Sequence, residues 1–258
     1  MDAKNYEYQR RRLIRDFDKS LLRVIPLLAS FLGEEDTKLL IQESRQEYET
    51  LIVRIPFIGR NNPLLIFFLP TPRYLAVYRT LQRMGYSTED AGYLIYEIGS
   101  AGLRKIPYIA RKFIGYLWFS HWLTDRLNKR AADSRLRKYP GNFVLDYVET
   151  DGQDFDYGVD YLECATCKFL KSEGAFELVP YICAVDKTAS EELGWGLTRT
   201  MTLAEGANKC DFRFKRGGKT NVVVPKSLLL HLESRKIDIE KGDRKSLWTV
   251  PRQKHGKE

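Results

Sequence analysis

FVLDYVETDGQDFDYGVDYLE, residues 143–163, decides the fold class. Its two halves, FVLDYVE and FDYGVDYLE, alternate apolar and polar residues with the period of two that marks a half-buried strand. TDGQD between them is turn chemistry, and YPGN at 139–142 marks where the pattern changes from helical to extended. In the second strand Phe155, Tyr157, Val159 and Tyr161 fall on one face, where they line the core or a pocket.

Downstream, CATCKFLKSEG (164–174) has the spacing of a short helix ending at Gly174. AFELVPYICAVDKTASEEL (175–193) predicts a second helix, irregular around Pro180 and ending at Gly194. GLTRTMTLAEG (196–206) and KCDFRFKRGG (209–218) then read as two strands around the turn EGAN. The order strand, strand, helix, helix, strand, strand predicts an α+β fold: an antiparallel sheet with helices over one face. TNVVVP (220–225) adds an edge strand, and PKSLLLHLESRK a short helix. The basic end of the chain, from about 238, lacks a folding pattern. Three regions result: 1–139 helical, 140–218 α+β, and 219–258 a basic extension.

Upstream everything is helical in period. The first amphipathic run carries Leu13, Phe17, Leu21, Leu22 and Ile25, with a break predicted at Pro26. EEDTKLLIQESRQEYETLIVRI starts with acidic residues that suit a helix N-terminus. A third helix is expected after Thr71-Pro72, stopping at Gly85. A fourth opens with Ser87, three residues before Asp90, as in a capping box. A single long helix is predicted over 108–136, with Ile109, Phe113, Leu117, Leu123 and Leu127 as its apolar stripe. The stripe fits a core helix; the same basic amphipathic pattern, with Trp118 and Trp122, fits a helix lying on a membrane surface.

Charge is segregated. Residues 104–138 hold ten Lys/Arg against Asp125 and Asp133, whereas 146–163 hold seven Asp/Glu and no Lys or Arg. Such blocks argue against a uniformly basic nucleic-acid binder and point to pairing between the two segments. The first twenty residues are too charged for a signal peptide. The longest apolar run, PLLIFFLP (63–70), is far short of the ~18–20 residues of a spanning helix. A cytoplasmic protein with reduced thiols is therefore expected, with homo-oligomers open.

Four cysteines, Cys164, Cys167, Cys183 and Cys210, all lie in the α+β region. Cys164-x-x-Cys167 alone is half of a structural zinc pattern, and no second close pair follows. Zinc on the four thiols is thus a minor alternative to a site without cofactor. A redox role for that pair lacks the βαβ setting in which such motifs usually act. Period two puts Cys210 with Phe212 and Phe214, and Arg199 among Leu197, Met201 and Leu203. An arginine there requires a carboxylate, from the protein or from a ligand. Cys183 and Asp186 share one helical turn, which pairs a nucleophile with a proton-transfer group. His121, on the basic helix, is a further general-base candidate; His231 and His255 lie nearer the end.

Residues 163–214, ECATCKFLKSEGAFELVPYICAVDKTASEELGWGLTRTMTLAEGANKCDFRF, resemble the L-2-amino-thiazoline-4-carboxylic acid hydrolase family. The resemblance rests on a Cys before a short helix (Cys164), Cys-x-x-Asp (Cys183, Asp186), Arg-Thr (Arg199, Thr200) and a Gly followed by Cys-Asp-Phe (Gly206, Cys210, Asp211, Phe212). It implies a hydrolase that opens a cyclic isothiourea or related amidine, giving a carbamoyl-cysteine, on the family substrate or on a relative in a biosynthetic pathway. Cys183 is then the first choice of nucleophile with Asp186 as its proton partner, Cys210 the rival, and Cys164 a further catalytic member. Arg199 is the carboxylate clamp, with Thr200, Asp211 and Glu205 on the substrate side. The pattern also resembles, more distantly, 4-vinyl-reductase-type domains, which implies a small-molecule-binding module without turnover. The third class is a peripheral membrane or nucleic-acid adaptor working through 108–136.

Overall fold

The computed structural model describes residues 4–240 apart from 151 and 153. Among the described residues nine α-helices precede the sheet: α1 (Lys4–Glu7), α2 (Arg10–Leu22), α3 (Ile25–Leu32), α4 (Glu34–Leu51), α5 (Leu65–Phe68), α6 (Pro70–Arg83), α7 (Thr88–Arg104), α8 (Tyr108–Trp118) and α9 (His121–Arg135). The α+β half follows as β1 (Val144–Glu149), β2 (Tyr157–Glu163), α10 (Ala165–Ser172), α11 (Val179–Leu193), β3 (Leu197–Arg199), β4 (Cys210–Phe214), β5 (Asn221–Val222) and α12 (Lys226–Glu240).

Local signals set many of these boundaries. Pro26 sits in the first turn of α3, so the chain breaks just before it. Ser87 Oγ accepts the Asp90 amide at 3.1 Å and caps α7. Gly194, left-handed at φ 70°, ends α11. The start of α6 differs from expectation. It begins at Pro70, and Thr71 is buried inside the first turn, where its hydroxyl meets that of Thr166 at 3.0 Å.

The sheet order is β1-β2-β4-β3-β5, antiparallel except that β5 runs parallel to β3. It is thus mixed rather than purely antiparallel, because β5 arrives from beyond β4 and adds to the free edge of β3. Tyr161 faces Cys210, Val159 faces Phe212 and Tyr157 faces Phe214 across β2 and β4. On that face Trp118 and Trp195 stack at 4.1 Å, and both rings meet Phe214 edge-on. The opposite face carries Asp160, bound by Lys209 and Arg213. The hairpin expected from 196 to 218 is cut short. Only Leu197 and Thr198 pair with β4, and the chain then leaves the ladder into a 3₁₀ turn at Leu203–Glu205.

Helix α11 lies between the sheet edge and α7. Close approach to α7 requires Gly92, where a Cβ would stand 2.5 Å from the Tyr181 ring. The contact is pinned by Tyr96 and Ser100 hydroxyls on Thr188, at 3.0 and 2.9 Å. One buried apolar cluster runs from Tyr6 through Leu81 and Leu94 to Phe169, Leu197 and Leu228, so the helical and α+β regions share a core.

The single helix expected over 108–136 is two. Ser120 accepts the Leu123 amide as the cap of α9 while its hydroxyl donates to Leu117 O, and the chain turns there. The turn lets α8 pack on α11 and α9 on β1. The core-stripe expectation fails for its first half. Ile109, Phe113 and Leu117 are exposed, and α8 instead sets Arg111 against Glu192 and Gly115 against the backbone of Leu193. Pairing between the basic and acidic segments is realised at Arg135–Asp146 and Arg137–Glu163.

Candidate active site

The end of β2 runs directly into Cys164, which holds the extended N-cap position of α10 (φ −115°, ψ 125°). Its carbonyl accepts the first helical bond, from the Lys168 amide at 3.0 Å. The Thr166–Thr71 hydroxyl contact fixes the first turn of α10 to α6. Cys164, Cys167 and Cys183 are half-buried and Cys210 is buried; all four are free thiols.

Arg199 is buried, at 1% exposure, and the carboxylate it requires is the protein's own. Its Nη1 donates to Asp186, and its Nη2 donates to the carbonyls of Cys183 at 3.1 Å and Val223 at 3.2 Å. The guanidinium lies over the Phe212 ring, 5.2 Å from its centroid. Its Nε has no hydrogen-bond partner. Arg199 thus ties α11 to β3 and β5, and Nε–H remains as its uncommitted edge.

Cys183 and Asp186 share a turn of α11, as their spacing predicts, but the carboxylate turns onto Arg199. Asp186 retains 32% exposure, so it borders solvent while its inner oxygen is paired. Burial raises its carboxyl above the usual range, more than the Arg199 charge lowers it.

Arg199 draws several of these groups together: its guanidinium meets Asp186 and the carbonyl of Cys183 and lies over the ring of Phe212, two residues from Cys210 on β4. Tyr161 belongs there too. Burial raises its phenol, and Asp186, Cys164 and Cys210 add to that shift. Period two placed Tyr161 on the face of β2 that lines the core or a pocket and carried no chemical signal for it.

The thiols differ in kind. Cys164 is held below the ordinary thiol range, first by the Cys167 thiol donating to it. Burial opposes this, and the amides of Cys167 and Thr166 and the Thr166 hydroxyl outweigh it. The Cys167 thiol is raised by the same contact and by burial. Burial raises Cys183 well above its usual value despite Arg199, and pushes Cys210 up to about 11 despite the Leu203 amide, 3.2 Å from its sulfur.

The remaining expected substrate contacts are engaged within the protein. Asp211, buried, accepts the Thr200 amide (2.9 Å), the Thr200 hydroxyl (2.6 Å) and the Met201 amide (2.7 Å). Glu205 is exposed, and its carboxylate accepts the Thr202 hydroxyl at 3.0 Å. His121 is exposed at the start of α9, His231 lies against the Tyr93 ring, and His255 falls outside the described residues. Among the described residues no three His, Cys, Asp or Glu side chains are grouped so as to hold a metal ion. No helix among them is long and apolar enough to cross a membrane.

A family model described as L-2-amino-thiazoline-4-carboxylic acid hydrolase matches residues 74–214, more than half of the chain, from within α6 to the end of β4. No curated protein and no solved structure matches.

Proposed function

The chain belongs to the L-2-amino-thiazoline-4-carboxylic acid hydrolase family, and from that premise we propose that it hydrolyses the ring of a cyclic isothiourea or related amidine acid, with Cys164 as nucleophile. The observation that carries this is the position of Cys164. It is the one thiol of the four held below its ordinary range, it sits half-buried at the N-cap of α10, and it follows directly on β2, the strand that sets Tyr161 opposite Cys210. Cys183 and Cys210 are pushed the other way by burial, which argues against the first choice of nucleophile made from spacing.

The ring carbon between sulfur and two nitrogens becomes electrophilic once a ring nitrogen is protonated. The Cys164 thiolate adds to it, the ring carbon–sulfur bond breaks, and the departing sulfur takes a proton. This leaves an isothiouronium on Cys164. Water adds to the same carbon, the bond to Cys164 Sγ breaks, and the product departs as a carbamoyl-cysteine. Asp186 is the proton carrier for these steps, because its carboxylate keeps a solvent-facing side beside Arg199. Arg199 holds Asp186 in place, and its Nε–H is the donor left for the substrate carboxylate. Thr200 and Asp211 shape the bend beside the site.

The test is direct. Incubating the protein with 2-amino-thiazoline-4-carboxylate should release thiol stoichiometric with substrate loss, and Cys164→Ser should abolish the release. Binding of the acid by calorimetry with no thiol release from wild type would instead make this a binding module. Full turnover by Cys164→Ser would remove Cys164 from the chemistry.

A further inference from the structure

Cys167 has no part in the ring opening proposed above, yet it is built against the nucleophile. Cys164 is the N-cap of α10 and Cys167 stands three residues on, in its first turn. Side chains at these two positions share the first turn, as they do in a capping box, and Cys167 is the largest influence that lowers Cys164. Backbone separations between such positions fall within the ~4.4–6.8 Å that a disulfide spans. Both cysteines are half-buried rather than sealed in the core. Cys183 and Cys210 lie on other elements, α11 and β4. A strand, β2, leads straight into the Cys-x-x-Cys helix start.

We propose that Cys164 and Cys167 form a reversible dithiol–disulfide site that exchanges with small disulfides such as glutathione disulfide, and that its oxidation withdraws Cys164 from ring opening. The second half rests on the assignment of Cys164 as nucleophile; the first does not. In the exchange, the Cys164 thiolate attacks one sulfur of the external disulfide, that S–S bond breaks, and one glutathione thiolate leaves. Cys167 then gives up its proton, its sulfur attacks Cys164 Sγ in the mixed disulfide, and the second glutathione thiolate departs. Two electrons pass from the protein pair to the oxidant; one released glutathione thiolate takes the Cys167 proton, and the other takes from solvent the proton that Cys164 gave up on ionising.

Equilibrating the full chain in glutathione buffers of graded potential, quenching with acid, alkylating and weighing it tests this. Two alkylation sites should vanish together in a two-electron transition, with a bridge between Cys164 and Cys167 in the digested peptide. Cys183→Ser and Cys210→Ser should leave that mass pattern intact. Cys167→Ser should instead trap one glutathione on Cys164. Four alkylated thiols in the most oxidising buffer would overturn the site, as would a bridge from Cys164 to Cys183 or Cys210, or no adduct on Cys167→Ser. Hydrolysis of the cyclic acid should fall in step with bridge formation and return with dithiothreitol. A bridged protein of undiminished activity would overturn the withdrawal and the nucleophile assignment while the mass data sustain the exchange site.

Discussion

Arg199 of β3 and Asp186 of α11 form an ion pair whose two ends differ in setting: the guanidinium is 1% exposed and the carboxylate 32%. The arginine is therefore the member that cannot lose its partner. Replacing Asp186 with Asn leaves a buried charge with two carbonyl contacts and no counter-ion, which should cost about 3 kcal/mol in chemical denaturation. Arg199→Met removes the charge and keeps much of the packing on Phe212, so its cost should be smaller. Equal losses in the two variants would mean that the pair contributes through packing alone.

The thiolate assignment predicts a pH profile. Lowering the pKa of Cys164 makes its thiolate available below the ordinary thiol value of about 8.5. The acid limb of kcat/KM, and the pH dependence of its alkylation by iodoacetamide, should both fall below that value and coincide. Cys164→Ser should lower kcat/KM by more than about 10³-fold. An acid limb at or above the ordinary thiol value would return the role to Cys183 or Cys210, whose thiols burial has raised.

The α+β class, the helix ends at Gly194 and before Pro26, and the Ser87 cap were legible because each rests on local chemistry. The shared turn of Cys183 and Asp186 was legible from spacing, and their link to Arg199 only as part of a family pattern spread over fifty residues. Three things were not. The break at Ser120 is invisible to periodicity, since the apolar spacing continues across it. The exposure of Ile109 and Phe113 follows from Gly115, which lets the other side of α8 approach Leu193. The partner of Arg199 depends on how α11 crosses the sheet, a tertiary fact; period two called for a carboxylate without saying whose.

Asp211 separates a structural from a substrate-binding role. Its three hydrogen bonds hold the bend at Thr200 and Met201 that ends β3. Asp211→Ala leaves those donors unpaired and should cost about 3 kcal/mol of stability. Asp211→Asn keeps one oxygen for the two amides and should cost less. Paired denaturation and kinetic measurements on the Asn variant decide the role. A raised KM with stability intact would restore Asp211 to the substrate side.

Asp160 predicts a pH-dependent share of stability on the far face of the sheet. Burial raises its carboxyl, but Lys209 at 2.6 Å and Arg213 at 2.8 Å more than reverse this, and its net shift is downward. A lowered folded pKa gives stability that is fully present above the unfolded value, about 3.9, and lost as pH falls through the folded value. The stability gap between wild type and Asp160→Asn should therefore be constant from neutral pH to about 5 and close progressively below about 4. A gap that persists unchanged in acid would show that the ion pairs carry none of it.

Gly115 carries the seat of α8. A Cβ there would stand 2.1 Å from the carbonyl oxygen of Leu193, and that oxygen belongs to the backbone of α11's last residue, which has no rotamer to yield. Gly115→Ala must push α8 outward, loosening the Trp118–Trp195 stack and the Arg111–Glu192 pair that flank the contact. The loss should be about 2 kcal/mol, as for other overpacked sites. It should be accompanied by a change in tryptophan fluorescence, because both stacked indoles report on the same contact. Gly102, with open space around its would-be Cβ, is the control: Gly102→Ala should hold or raise stability, since alanine is the better helix former. Equal behaviour of the two variants would mean that helix propensity, and not the approach of α8 to Leu193, governs this face.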